Sequence, residues 1–79
     1  EIMIIDVREP YEYEAGHVEG AVNIPVGEIM DRLSEIPKDE DVVLYCRSGG
    51  RAGIALQGLQ SVGYTRVSNG INQQTIESL

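Results

Sequence analysis

The stretch "VVLYCRSGGRAG", Val42–Gly53, decides the fold of this chain. An apolar, branched run delivers a lone cysteine to a glycine- and arginine-rich loop, and a helical pattern starts directly behind it. Val42–Tyr45 reads as a strand buried on both faces of a parallel sheet, because its apolar residues follow one another without polar alternation. Beyond the loop, Ala52, Ala55, Leu56, Leu59 and Val62 fall at helical spacing, and Gly63 stands where a left-handed residue ends a helix.

Working outward, the same alternation recurs. Ile2–Ile5 is a continuous apolar run ending at Asp6, read as a strand enclosed on both faces, and Pro10 fits the first turn of a short helix that Gly16 stops. Ala21–Ile24 is a second short strand closed by Pro25. Glu28–Ile36 places Ile29, Met30, Leu33 and Ile36 on one helical face before Pro37 ends it. After the charged turn Asp39–Asp41 and the central unit, "YTRVSNG" (Tyr64–Gly70) supplies a last strand ending near Asn69–Gly70, and Gln73–Leu79 a weak terminal helix. The expected class is α/β: a small, mainly parallel sheet of about four strands with helices on both faces. In such sheets ligands bind outside the carboxyl ends of the strands, where Asp6 and Cys46 sit. No linker, repeat or charge block divides residues 1–79, so one domain is expected. The sequence runs from Glu1 straight into a strand, which suggests a natural product longer at that end.

Composition narrows the function. Seventy-nine residues with 42% hydrophobic content leave room for one small core and one site. Six basic against 13 acidic side chains give a net charge of −7, which disfavours nucleic acid and anionic lipid as partners. No stretch approaches the roughly 18 consecutive apolar residues of a membrane span, and no signal-peptide pattern opens the chain. A soluble monomer is expected. A single cysteine rules out a disulfide-stapled scaffold and leaves the redox compartment open.

Four roles compete for Cys46. As a buried filler it would need apolar neighbours, whereas Arg47, Ser48, Gly49, Gly50 and Arg51 form a polar turn whose N–H groups can converge on one point. The helix that follows adds its free amides and the positive end of its dipole, a setting that lowers a thiol pKa. A metal site fails by counting, since Cys46 and His17 cannot complete a zinc sphere, and a redox pair fails because position 49 is glycine. A phosphatase loop is the remaining rival to a sulfur-carrying nucleophile. It places its arginine one residue later than here, where Ala52 stands. The four residues between Cys46 and Arg51 make a smaller cradle, better matched to a sulfur atom than to a phosphate.

These residues resemble the rhodanese family of sulfurtransferases over nearly the whole chain. The family's active loop appears as Cys46, Arg47, Ser48, Gly49, Gly50 and Arg51, and a second block, "DVREPYEYEAGHVEGAVNIP" (Asp6–Pro25), looks like its other signature. The resemblance implies a thiosulfate sulfurtransferase without cofactor or metal. The Cys46 thiolate would take the outer sulfur of thiosulfate, releasing sulfite, and the resulting persulfide would pass that sulfur to cyanide, a thiol or a protein acceptor. The amides from Arg47 through Ala52 would stabilise the sulfur anion, and Arg47 and Arg51 would orient the anionic donor. Asp6 and Arg8 would support the loop. His17 fits a structural turn better than a Cys–His dyad, and of Tyr11 and Tyr13, spaced by two, one reads as a core ring and the other as a surface ring rather than the pair as a binding platform. The end, "NGINQQTIESL", lacks the tryptophan and paired glycines usual in the family, and the strand and helix that commonly precede "DVR" are missing. The short domain is most similar to the phage shock protein E type, which implies a periplasmic location, with a cytoplasmic relative as the alternative. A sulfurtransferase, a persulfide carrier serving a protein partner and a small phosphatase-like or arsenate-handling enzyme are the three functions left to separate.

Overall fold

A computed structural model describes residues 1–78. The chain runs β1 (Ile2–Asp6), α1 (Pro10–Glu14), β2 (Val22–Asn23), two 3-10 segments (Val26–Asp31 and Leu33–Glu35), β3 (Asp41–Cys46), α2 (Gly50–Ser61), β4 (Val67–Asn72) and α3 (Gln73–Glu77). The four strands form one parallel sheet in the order β2-β1-β3-β4. The two central strands, β1 and β3, pair from Ile2 opposite Asp41 to Asp6 opposite Tyr45. Asp6 and Cys46 are therefore delivered to the same side of the sheet, the carboxyl ends of its central strands.

The side chains of β3 sort by the two-residue period of a strand. Val42, Leu44 and Cys46 join the larger core, with Ile5, Val7, Ile24, Ile29, Ala52, Ala55, Leu59 and Tyr64. Tyr45 points the other way, packing with Val18, Ala21 and Ile76 and flanked by Ile4 and Val43. Elements thus cover both faces, as the α/β reading expects.

Three local expectations need correction. Glu28–Ile36 is not an α-helix but a pair of 3-10 segments whose N–H groups bond three residues back, as in Arg32 N–H to Ile29 C=O and Ile36 N–H to Leu33 C=O. The buried Tyr64 hydroxyl donates to Ile36 C=O at 2.6 Å and Val26 N–H is tied to Val7 C=O, so tertiary contacts pin both ends of the span. Within that span Met30, placed on one face with Ile29, Leu33 and Ile36, parts from the buried Ile29 and Ile36 and is exposed. β4 does not stop at Asn69–Gly70. A bulge shifts the register between Leu44 opposite Asn69 and Tyr45 opposite Ile71, and the strand continues to Asn72. Ile2–Ile5 is enclosed only at its carboxyl half, since Ile2 is largely in solvent. The terminal helix was expected through Leu79, which lies outside the described residues.

Candidate active site

β3 carries Cys46 at its carboxyl end and α2 begins four residues later, so the intervening loop folds over the cysteine, a residue only 3% exposed. Gly49 caps α2 in a left-handed conformation, φ 95°, that a side chain would resist. Its N–H donates to Cys46 Sγ at 3.1 Å. Burial is the largest single influence on the thiol and pushes it up. The backbone N–H groups of Ala52, Ser48, Gly49 and Arg51 together outweigh that effect and hold it below its ordinary 9.0. The loop thus turns its backbone N–H groups toward the sulfur, with that of Gly49 at hydrogen-bond distance, and favours the thiolate.

A cleft of about 190 Å³ opens over the cysteine, lined by Arg8, Cys46, Arg47, Asn72, Gln73 and Gln74. A neighbouring cleft of about 320 Å³ is lined by Arg8, Tyr11, Glu12, Ala15 and Arg47, so Arg8 and Arg47 form the wall shared by the two. Arg47 is exposed, and no ion pair engages it among the described residues. Arg51, expected to face the donor beside it, instead turns toward α1 and binds Glu12 through both ends, Nη1 to Oε1 at 2.7 Å and Nη2 to Oε2 at 3.2 Å. It does not line the cleft over Cys46. Arg8 takes that place. The Arg51 guanidinium in turn holds the Glu12 carboxyl down at about 2.

Asp6 is fully buried and anchors a second network at the carboxyl ends of the central strands. Arg8 Nε and Nη2 grip its carboxylate at 2.9 Å and 2.7 Å, and Arg8 Nη2 also donates to Gly16 C=O. Tyr45 Oη donates to Asp6 Oδ2 and accepts from Val18 N–H. Burial first of all pushes the Tyr45 hydroxyl up to about 12, so it stays protonated and available as a donor. Asp6 thus touches Arg8 and the residue preceding Cys46 rather than the loop amides. His17 stacks on Tyr13 with ring centroids 3.6 Å apart, and its Nδ1 meets Tyr13 C=O at 2.7 Å. A carbonyl only accepts, so Nδ1 carries the proton and the ring closes a turn. Tyr13 is half-buried and Tyr11 is exposed.

Sequence reasoning missed Glu12, Asn69 and the Asn72–Gln74 wall. Glu12 is one of three glutamates at positions 9, 12 and 14, with nothing local to single it out. The wall depends on β4 running past its expected end.

The loop geometry agrees with what comparison with known proteins finds. The rhodanese-like domain family matches residues 1–71. A sulfurtransferase of Allochromatium vinosum is 45% identical over 69 residues, covering 87% of this chain and 64% of that protein. The thiosulfate sulfurtransferase PspE of Escherichia coli is 43% identical over 67 residues, covering 82% of this chain and 64% of its own length. This chain therefore spans a little under two thirds of either relative. A solved rhodanese with anions from E. coli superposes with a TM-score of 0.88 at 36% identity, covering 95% of this chain and 91% of that one. With the family signature matched across both central strands and the cysteine loop that joins β3 to α2, the chain belongs to the rhodanese family.

Proposed function

We propose that this domain is a sulfurtransferase that moves the outer sulfur of thiosulfate to cyanide or a thiol through a persulfide on Cys46. One observation carries the reading: Cys46 Sγ accepts the Gly49 N–H within a loop whose backbone amides favour the thiolate, in a cleft walled by Arg8 and Arg47. In the first step the Cys46 thiolate attacks the outer sulfur of thiosulfate. The new S–S bond forms as the bond to the sulfonate sulfur breaks, and the electron pair leaves with sulfite. One negative charge stays on the terminal persulfide sulfur, and the loop amides compensate it without moving. In the second step cyanide attacks that terminal sulfur, thiocyanate departs, and the thiolate of Cys46 is restored. Against a net charge of −7, Arg47, which no ion pair engages among the described residues, supplies the local positive potential a dianion needs, while the charge of Arg8 at the same mouth is balanced by Asp6. The four-residue gap between Cys46 and Arg51 weighs against the phosphatase reading, because Arg51 is committed to Glu12 rather than to a phosphate cradle.

Intact-mass spectrometry before and after thiosulfate tests the reading. The wild-type protein gains one sulfur atom, about 32 Da, and releases it to cyanide as thiocyanate, while Cys46→Ser does neither. Hydrolysis of an aryl phosphate without any sulfur adduct defeats it. Sulfur that loads normally but leaves faster to a protein thiol than to cyanide identifies a carrier with the same chemistry.

A further inference from the structure

The β4 bulge raises a question that the sulfur-transfer reading leaves open. Ile71 is a β-branched residue at φ 73°, a conformation that costs on the order of 1–3 kcal/mol and persists only where the surroundings enforce it. The preceding residue is tightly enclosed: a Cβ on Gly70 would come 2.8 Å from Val43 Cγ1 and 3.0 Å from Ile76, so a side chain there requires those two to shift. The chain therefore holds an unfavourable backbone next to its reactive loop.

Asn69 connects the two. Its Oδ1 accepts Ile71 N–H at 2.8 Å, and its Nδ2 donates to Gly49 C=O at 3.0 Å. The same carbonyl also accepts Gly53 N–H, the opening bond of α2, at 2.8 Å. Gly49 is thus tied at both polar atoms, its N–H to Cys46 Sγ and its C=O to Asn69 and Gly53. These ties fix φ and ψ at the position where the loop has most freedom, since Gly49 is followed by Gly50 and neither carries a side chain to restrain it. We propose that Asn69 is a positioning residue for the reactive loop, a clamp that uses the strained β4 bulge as its anchor to hold the Gly49 N–H on Cys46 Sγ.

The proposal rests on Cys46 being the reactive thiol, and its test reads that thiol directly. The rate of Cys46 alkylation by iodoacetamide is followed against pH in wild type, Asn69→Ala, Asn69→Asp and the β4 surface control Ser68→Ala. Thermal melts confirm folding, and kcat/KM for thiosulfate is measured in parallel. Asn69→Ala removes both ties. Its alkylation midpoint moves to higher pH, and both the neutral-pH alkylation rate and kcat/KM fall roughly two- to tenfold, the loss expected when one hydrogen bond no longer selects the loop geometry. Asn69→Asp is the decisive variant, because a carboxylate still accepts Ile71 N–H and so preserves the bulge but cannot donate to Gly49 C=O. Because the new carboxylate charge by itself raises the thiol midpoint, Asp is compared with wild type at about 1 M salt, which screens that charge: there a clamp makes Asp behave like Ala or worse, whereas a residue serving only β4 leaves Asp like wild type. Asn69→Ala with an unchanged midpoint and rate, or Asn69→Asp indistinguishable from wild type, overturns the proposal. A wild-type protein that alkylates as described but never accepts sulfur from thiosulfate defeats the proposed function and leaves the clamp standing.

Discussion

Replacing Glu12 by Gln isolates what Arg51 does. The change keeps the shape of the side chain and the acceptor for Glu9 N–H, 3.0 Å away, so the start of α1 stays capped. What disappears is the charge that meets the Arg51 guanidinium at 2.7 and 3.2 Å. A bidentate, charge-assisted contact is worth about 1.5–3 kcal/mol where it is shielded. Arg51 leaves 32% of its side chain in solvent, against 11% for Glu12, which reduces the expected loss to about 1–2 kcal/mol. At roughly 4–8 °C per kcal/mol for a domain of this size, the melting temperature falls by about 4–16 °C at neutral pH. The pH dependence follows from the direction of the shift. Glu12 sits at about 2 in the folded protein against an ordinary 4.5, so its contribution is complete above 4.5 and is lost as pH falls through the folded value. Denaturant unfolding of the two proteins at stepped pH should give a constant gap above about pH 5 that narrows below 4.5. Equal stabilities at neutral pH, or a gap that survives undiminished into acid, would show that Arg51 is not held by this pair and would return it to the donor-facing role expected from the loop sequence.

Three further outcomes follow. Because four backbone N–H groups hold the thiol below its ordinary 9.0, alkylation of wild-type Cys46 should reach half its limiting rate at a pH under 9.0, and stability should rise with pH between the folded midpoint and 9.0. A midpoint at or above 9.0 contradicts this role of the loop amides. Gly70→Ala forces a methyl group against Val43 and Ile76 and should cost about 1–3 kcal/mol in denaturant unfolding, and a neutral effect there means the bulge can open. Tyr45→Phe strands the buried Val18 N–H and takes a donor from Asp6, with an expected loss of about 1–3 kcal/mol, and unchanged stability would show that Asp6 is satisfied by Arg8 alone.

What the sequence reveals and what it hides divide along the range of the interactions involved. The β3–loop–α2 unit is legible because each of its features is local: an unbroken apolar run, a cysteine at its end, two glycines and a helical period all lie between Val42 and Val62. Loop length, also local, is what carries the expectation of a sulfur cradle rather than a phosphate cradle. The partners of the loop are not local. Arg51 and Glu12 lie 39 positions apart, and only the docking of α1 beside the loop selects Glu12 over Glu9 and Glu14. The segment Glu28–Ile36 carries a sound helical pattern, yet the hydroxyl of Tyr64, 28 residues further on, bonds the carbonyl of Ile36 and the span tightens into 3-10 turns. Asn69 combines both difficulties. Beside Gly70 it reads as the natural end of a strand, and its reach to Gly49 exists only because Gly70 makes a bulge there and β4 goes on. The residues that hold the loop in shape are therefore those whose identity the loop itself cannot announce. A search for the determinants of thiol reactivity in this domain should begin on α1 and β4, with Glu12 and Asn69, rather than among the loop residues themselves.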